Sequence, residues 1–135
     1  MITPAIETLE PRVDIRAQAL RNDAFRRVIR TGKHEQVVAM TLEPGGEIGA
    51  EVHAGTDQLF FVIEGVAHPE VGDRAWEAPS GEVVLVDAGT RHNIVNRATS
   101  PLRLITVYAP PAHAPGTVHL TKADADRAEL DQPDH

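Results

Sequence analysis

The chain has 135 residues, of which 41% are hydrophobic and 24% charged, with a formal net charge of −7 and no cysteine. This length suits one domain with a sizeable core, and the lack of cysteine excludes disulfides and thiolate metal sites. The negative charge, with no basic cluster to offset it, argues against nucleic acid as a partner. No segment approaches the roughly 20 apolar residues of a membrane span, and the N-terminus lacks a signal-peptide pattern. We therefore expect a cytoplasmic protein that binds neither nucleic acid nor membrane.

The first quarter of the chain predicts an irregular arm followed by a β-hairpin. Residues 1–24 show no sustained 3.6-residue period, and we expect at most one extended piece there. Two β-branched segments, Phe25–Thr31 and Glu35–Leu42, flank a turn and are typical of paired strands. The first strand carries three arginines, which either form the solvated side of an edge strand or bind an acidic ligand. They are Arg26, Arg27 and Arg30.

The stretch from Pro44 to Gly65 predicts a second hairpin that carries polar side chains into an apolar pattern. Its two strands are Glu47–His53 and Gln58–Glu64. On an extended segment Glu51 and His53 point to the same face, because side chains alternate along a strand. Gln58 opens the next strand. Three groups able to bind a metal are thus expected near one hairpin.

The rest of the chain predicts further short strands and one helix. Residues 66–81 are rich in turn residues, and three later segments have the apolar pattern of strands. Thr121 followed by Asp124 is typical of a helix N-terminus, and we predict a short acidic helix over 123–130. With about eight to ten short strands, the pattern indicates an all-β antiparallel sandwich or barrel. The three later strands are Val83–Val86, His92–Asn96 and Leu102–Tyr108.

We divide this single domain into three parts: an N-terminal arm with edge strands (1–34), a barrel (35–112) and a C-terminal extension with the acidic helix (113–135). Two of the barrel strands, Gln58–Ile63 and Val83–Val86, are apolar on both faces. One face belongs to the core, so the other needs cover from a second sheet or a second subunit. We therefore expect a homodimer.

Two groups of residues resemble the paired sequence motifs of the cupin family. The first motif runs G-x5-H-x-H-x3–4-E-x6-G, and the corresponding residues are Glu51, His53, Gln58 and Gly65. The second runs G-x5-P-x-G-x2-H-x3-N and corresponds to Gly81, Gly89, His92 and Asn96, with Asp87 where proline is usual. The resemblance spans about residues 36–109. The segment YAPPAHAPGTVH, 108–119, is also similar to the C-terminal signature of small single-domain bacterial cupins, a group that resembles sugar-isomerase cupins.

This resemblance implies a jelly-roll β-barrel, the double-stranded β-helix, with a metal held inside it. By position the ligands would be Glu51, His53, Gln58 and His92. Glu51 replaces the usual first histidine and Gln58 the usual glutamate, so the set keeps one carboxylate and its formal charge. Such N and O ligands suit a divalent transition metal (Fe, Mn, Ni, Co or Zn) better than Ca or Mg, without deciding among the five. The alternative is a metal-free cupin in which the four side chains form a hydrogen-bonded cluster.

The resemblance also implies a pocket beside the metal, where a small-molecule substrate with two oxygens would bind. In an alternative arrangement, Glu51 leaves the metal and acts as a general base. Tyr108 either orients the substrate through its hydroxyl or packs at the barrel rim. Met40 and Phe60 are expected to line the pocket as apolar wall. Two further histidines either close over the pocket mouth or lie in loops; they are His113 and His119.

These expectations lead to a metal-dependent enzyme of isomerase or lyase type, acting on a small oxygenated substrate such as a sugar or sugar acid. Cupins with a glutamine at the position of Gln58 are similar to ones that process unsaturated sugar acids. A metal-dependent dioxygenase acting on an enol or diketone is the first alternative. A non-enzymatic cupin that binds a small molecule is the second, because this fold serves many functions.

Overall fold

The computed structural model of the protein describes residues 7–131, which form two helices and ten antiparallel strands. The helices are α1 (Ile15–Arg21) and α2 (Lys122–Asp131). The strands are β1 (Arg26–Thr31), β2 (Gln36–Leu42), β3 (Asp57–Glu64), β4 (Val66–Val71), β5 (Arg74–Ala75), β6 (Ala78–Pro79), β7 (Val83–Val86), β8 (His92–Val95), β9 (Leu102–Ala109) and β10 (Val118–His119). Neither helix in this part of the chain is long and apolar enough to cross a membrane.

The strands form two sheets that share one core. Six of them pair in the order β10-β1-β2-β9-β3-β7, while β4 pairs with β5, β6 and β8 in the second sheet. Phe60 and Leu104 from the first sheet join Ala67 and Ile94 from the second in one buried cluster. The predicted all-β jelly-roll barrel with a short C-terminal helix is therefore confirmed, and so is the hairpin of β1 and β2.

Cross-strand register explains which side chains meet inside the barrel. One row of partners runs from Val38 through Thr106 to Phe60. The neighbouring inward row pairs Tyr108 with Gln58. Because side chains alternate between the two faces of a sheet, these rows point together into the interior, and all five side chains are buried.

The helix α1 lies within the segment 1–24, for which an irregular arm was predicted; residues 7–14 and 22–24 are irregular, and residues 1–6 lie outside the described residues. Asp14 caps α1, since its Oδ1 accepts a hydrogen bond of 3.0 Å from the backbone N–H of Ala17. The helix packs Ala19 against Ile105 on the outer face of the six-stranded sheet, where Phe61 is also partly covered. The prediction was wrong because α1 has only seven residues, too few to show a helical period, although its composition favours a helix.

The strand predicted at Glu47–His53 is also wrong. This segment forms only isolated bridges, Glu47 with Val95 and Glu51 with His92, and it does not pair with β3. Gly49 adopts φ +102°, which interrupts an extended strand. The segment therefore runs beside β8 as an irregular bridge between the sheets.

The C-terminal helix begins as predicted. The N–H of Asp124 donates to Thr121 Oγ1 at 3.1 Å, and the N–H of Thr121 donates to a carboxylate oxygen of Asp124 at 3.3 Å. This reciprocal pair is a capping box built with aspartate. The three-part division at residues 34 and 112 stays a prediction, while β1 and β10 both extend the same sheet as β2 and β9.

Two motif residues serve the fold itself. Gly65 has φ +93°, and a Cβ placed there would lie 2.8 Å from the carbonyl oxygen of Pro101, so only glycine fits. Asn96 is fully buried, and its Nδ2 donates to three backbone carbonyls within 3.2 Å. Both residues join segments that are distant in sequence.

Candidate functional site

Backbone hydrogen bonds join the two motif stretches residue by residue. Glu51 and His92 exchange two N–H···O=C bonds of 2.9 Å, and the N–H of Gly89 donates to the carbonyl of His53 at 2.8 Å. The irregular segment before β3 is thereby held against β8. This pairing is what brings side chains of the first motif beside the histidine of the second.

Three of the predicted metal ligands converge inside the barrel. Glu51, His53 and His92 each offer one metal-binding atom, and these three atoms all lie within 4.8 Å of one another. His53 Nε2 and Glu51 Oε2 lie 2.7 Å apart, and the centroids of the two imidazole rings lie 5.4 Å apart. The side chains of His53 and Glu51 are only 10% and 18% exposed, and His92 is buried. A carboxylate and two imidazoles at this spacing are a ligand set for a divalent transition metal.

The hydrogen-bonding pattern shows which ring nitrogens face the cluster. His92 Nδ1 lies 3.0 Å from the carbonyl oxygen of Thr90, so Nδ1 carries the hydrogen and Nε2 keeps its lone pair. Within residues 7–131, the buried Nε2 of His92 has no hydrogen-bond partner, and the Nε2 of His53 faces only the Glu51 carboxylate, 2.7 Å away. Buried acceptors without donors are costly, and a bound cation would satisfy them. These residues therefore fit a metal ion.

Gln58, the fourth predicted ligand, is oriented by its neighbour on β9. Its Nε2 donates to Thr106 Oγ1 at 2.9 Å, and the Thr106 hydroxyl donates to the carbonyl of Leu59 at 2.8 Å. The amide nitrogen is thus fixed, and Oε1 is left buried with no hydrogen-bond partner in the described part of the chain. A free amide oxygen is the atom that a metal would bind.

Burial and neighbouring charges give Glu51 and His92 the protonation states that metal binding requires. Burial raises the pKa of Glu51, but the hydrogen bond and charge of His53 and the charge of Arg26 outweigh it, so this pKa lies below its ordinary 4.5. Burial is the main reason why the pKa of His92 lies below its ordinary 6.5. At neutral pH Glu51 is therefore ionised and His92 neutral.

Tyr108 lies inside the barrel next to the cluster. The residue is 2% exposed, and its ring meets that of His53 edge-on at a centroid distance of 6.0 Å. Burial raises the pKa of the Tyr108 phenol, while the neighbouring Arg26 guanidinium offsets part of the rise. The phenol is thus protonated at neutral pH and able to donate a hydrogen bond.

The remaining predicted pocket residues also lie near the cluster. Phe60 is buried, with its ring 6.0 Å from that of His92, and Met40 is buried in the same hydrophobic cluster as Phe60. The rings of Tyr108 and His113 lie 5.0 Å apart, and those of His113 and His119 lie 6.4 Å apart. The row of rings therefore continues from the metal-capable cluster to β10, which carries His119.

Sequence reasoning did not place Arg26 in this pocket. One alternative made it part of a solvated edge, but β1 lies between β10 and β2, and Arg26 is only 3% exposed. Its Nη1 lies 3.1 Å from His119 Nδ1. The only sequence signal for its burial was that Arg26 shares a strand face with the apolar Val28. This signal is weak, because Arg27 shares the opposite face with the equally apolar Ile29.

A separate cleft of about 310 Å³ lies outside this cluster, between the end of β2 and the start of α2. Its walls include Phe25, Glu43, Arg103 and Lys122, and they include none of the metal-capable side chains. The chemistry of the site therefore concerns the barrel interior and not this cleft.

Comparisons with known proteins agree with this geometry. The sequence model of the Cupin domain matches residues 38–108. The crystal structure of BH2720 from Bacillus halodurans has a TM-score of 0.85 and 40% identity, covering 90% of this chain and 99% of that one. YrkC, an uncharacterized protein of Bacillus subtilis, is 39% identical over 123 residues, 87% of this chain and 66% of YrkC. An oxalate-binding protein of Thermotoga maritima is 31% identical over 70 residues, 50% of this chain and 56% of that protein. The chain thus spans just under two thirds of YrkC.

Proposed function

The chain belongs to the cupin family, and from this premise we propose that it is a metal-dependent enzyme acting on a small oxygenated substrate such as a sugar or sugar acid. The reaction class is isomerisation or elimination, in which a proton next to a carbonyl group is removed. One observation carries the proposal: ligand atoms of Glu51, His53 and His92 lie within 4.8 Å of one another, and the buried Nε2 of His92 has no hydrogen-bond partner among the described residues.

Glu51, His53, Gln58 and His92 are the residues that would hold the metal. Bound there, a divalent Fe, Mn, Ni, Co or Zn ion would act as a Lewis acid on an oxygen of the substrate. Glu51 is ionised at neutral pH, and its carboxylate would accept the substrate proton after leaving the metal, to which His53, Gln58 and His92 would stay bound. The Tyr108 phenol would donate a hydrogen bond that orients the substrate. Met40 and Phe60 would supply apolar wall.

A non-enzymatic binding protein is the second candidate, and one comparison favours it. The relative from Thermotoga maritima is called an oxalate-binding protein, and oxalate presents two carboxylates. A protein of this kind would need the metal and the pocket but no proton acceptor. Ligand binding would then be accompanied by neither loss of a carbon-bound proton nor oxygen consumption.

Metal content after purification without added metal is the first test. We expect wild type to retain close to one transition-metal ion per chain, and His92→Ala to retain much less, because a buried ligand atom is lost. His34→Ala is the matched control, since His34 is exposed in the loop between β1 and β2. A wild-type protein that neither retains nor can be loaded with a metal would contradict the proposal.

Turnover separates the chemical alternatives. The metal-loaded protein is tested against unsaturated and saturated sugar acids, followed by NMR for loss of a carbon-bound proton, and Glu51→Gln should slow this step by at least about a hundredfold. Oxygen consumption by the Fe(II)-loaded protein with enols or diketones would instead support the dioxygenase alternative. Binding of a ligand without either reaction would support the binding protein.

We also propose that two copies associate through the outer face of β3 and β7. There Leu59 lies opposite Leu85 and Phe61 opposite Val83, and β7 is an edge strand. Leu85 is 64% exposed and Val83 42%, so the apolar surface left uncovered by α1 lies at this edge. Light scattering should give a dimer mass that Leu85→Glu lowers. Leu120→Glu, which changes a leucine that is 53% exposed and lies outside β3 and β7, should leave the mass unchanged. A cytoplasmic location stays a prediction.

A further inference from the structure

The unexplained feature of the barrel interior is a buried arginine. Arg26 is 3% exposed and belongs to the inward row of β1, opposite Met40 on β2 and His119 on β10. Its Nη1 lies 3.1 Å from His119 Nδ1, and its charge acts on both Glu51 and Tyr108. The guanidinium is thus buried in the barrel interior, close enough to Glu51 and Tyr108 to act on them electrostatically.

No carboxylate of the described residues forms an ion pair with Arg26. Among residues 7–131, the ion pairs within 4.0 Å join other groups, and Arg26 is in none of them. Its Nε is buried and has no hydrogen-bond partner in that part of the chain. Glu51, the acid on which it acts, is already 2.7 Å from His53. A buried charge without a counterion is costly, so such groups are normally paired.

The chemistry of the pocket indicates what completes the pair. A guanidinium presents N–H donors in a planar fork that matches the two oxygens of a carboxylate. Once a divalent cation is bound, its charge together with that of Arg26 exceeds that of the single carboxylate, Glu51, so the interior attracts an anion. The rings of His92, His53, Tyr108 and His113 lie in a row. This row runs from the metal-capable cluster towards His119, which contacts Arg26.

We propose that Arg26 anchors a carboxylate of the ligand, with the opposite end of the ligand at the Glu51, His53 and His92 cluster. This inference rests on the proposed function for the position of that opposite end. It makes Arg26 a specificity-determining residue that selects acids over neutral molecules of the same shape. Arg26 does not take part in proton transfer, because a guanidinium stays protonated in proteins.

The test compares acids with their uncharged amides. Binding of glucuronate and glucuronamide, and of lactate and lactamide, is measured by calorimetry on wild type, Arg26→Gln and Arg26→Lys, each in Mn²⁺-loaded and metal-free form. Arg27→Gln is the matched control, because Arg27 follows Arg26 on β1 but donates its Nε to Asn22 Oδ1 at 3.1 Å. Metal content of every sample is determined separately.

We expect wild type to bind at least one acid ten or more times more tightly than its amide, including in the metal-free form. Tenfold corresponds to about 1.4 kcal/mol. Arg26→Gln should reduce the preference to less than about twofold, Arg26→Lys should keep an intermediate preference, and Arg27→Gln should match wild type. If Arg26→Gln does not fold, the Arg26→Lys and wild-type measurements still decide the matter.

Three results would overturn the inference. One is a wild-type protein that prefers none of the acids over its amide, and another is a preference that survives Arg26→Gln, which would mean that the carboxylate binds elsewhere, such as at the metal. The third is tighter binding of glucose 6-phosphate than of glucuronate, which would assign the site to phosphate. A metal-free preference that depends on Arg26, in a protein that cannot retain metal, would defeat the proposed function and leave the inference standing.

Discussion

Replacing Gln58 by Glu tests whether the structure explains the residue that departs from the family motif. Gln58 is 1% exposed, and its Nε2 donates to Thr106 Oγ1. The hydrogen of the Thr106 hydroxyl is already donated to the carbonyl of Leu59. At this point Thr106 therefore offers only a lone pair, which an amide satisfies and an ionised carboxylate does not.

The expected cost follows from this arrangement. In the metal-free protein at pH 7.5, Gln58→Glu loses one buried hydrogen bond and leaves a carboxylate facing a lone pair, which costs about 1–3 kcal/mol of unfolding free energy. A protonated glutamate can donate to Thr106, so burial and this acceptor raise the folded pKa of Glu at position 58 above its unfolded value of about 4.3. Stability is then greatest below that unfolded value and is lost as pH rises through the folded pKa. The penalty should accordingly shrink at pH 5.

Urea denaturation with a chelator present, at pH 5.0 and 7.5, measures both values. The same comparison in a Thr106→Val background isolates the coupling, since the acceptor that discriminates between amide and carboxylate is then absent. Addition of Mn²⁺ should reverse the order, because a second carboxylate binds a cation more strongly than an amide oxygen does. A penalty that is equal at both pH values and unchanged by Thr106→Val would refute this account of Gln58.

Three further outcomes are expected. Gly65→Ala should lower the unfolding free energy by about 1–3 kcal/mol, and Gly81→Ala should cost less: both have positive φ, but only the Cβ at 65 meets backbone, at 2.8 Å. Asn96→Ala should cost more than about 2 kcal/mol in the same assay, because its Nδ2 donates to three carbonyls. In wild type, the lowered pKa of His92 means that the unfolded chain binds a proton first as pH falls, so stability is lost below pH 6.5. His92→Gln should flatten this loss in urea denaturation with a chelator present, measured from pH 7.5 to 5.

The sequence could predict the barrel because its strands are apolar and are separated by regularly spaced turns. β2, β3, β7 and β9 lie within about one residue of their predicted positions. The helix α1 was missed because seven residues show no clear period, and it is stabilised by packing Ala19 on the sheet. The segment 47–53 was predicted as a strand because it alternates, but alternation does not reveal the positive φ of Gly49.

The candidate site was predictable where motif spacing determines it. The resemblance to the two cupin motifs placed Glu51, His53 and His92 together, and the structure brings one ligand atom from each within 4.8 Å of the others. Arg26 was not placed, since a charged residue on a strand is normally solvated and its burial depends on β10, far away in sequence. The expectation of a dimer also rested partly on apolar faces that α1 covers, which leaves the edge at Leu85 as its remaining support.

The exchange of ligand types between positions 51 and 58 changes where the negative charge of the site lies. Gln58 is on β3, in the sheet between β9 and β7, and its amide is fixed by Thr106. Glu51 lies on a segment that is bridged to β8 through His92, and its side chain is 18% exposed. The carboxylate therefore sits on the less constrained and more accessible of the two positions, on which Arg26 acts electrostatically. A base that must reach a substrate proton is better placed at position 51 than on the rigid strand. The neutral amide of Gln58 keeps the buried interior free of a second negative charge.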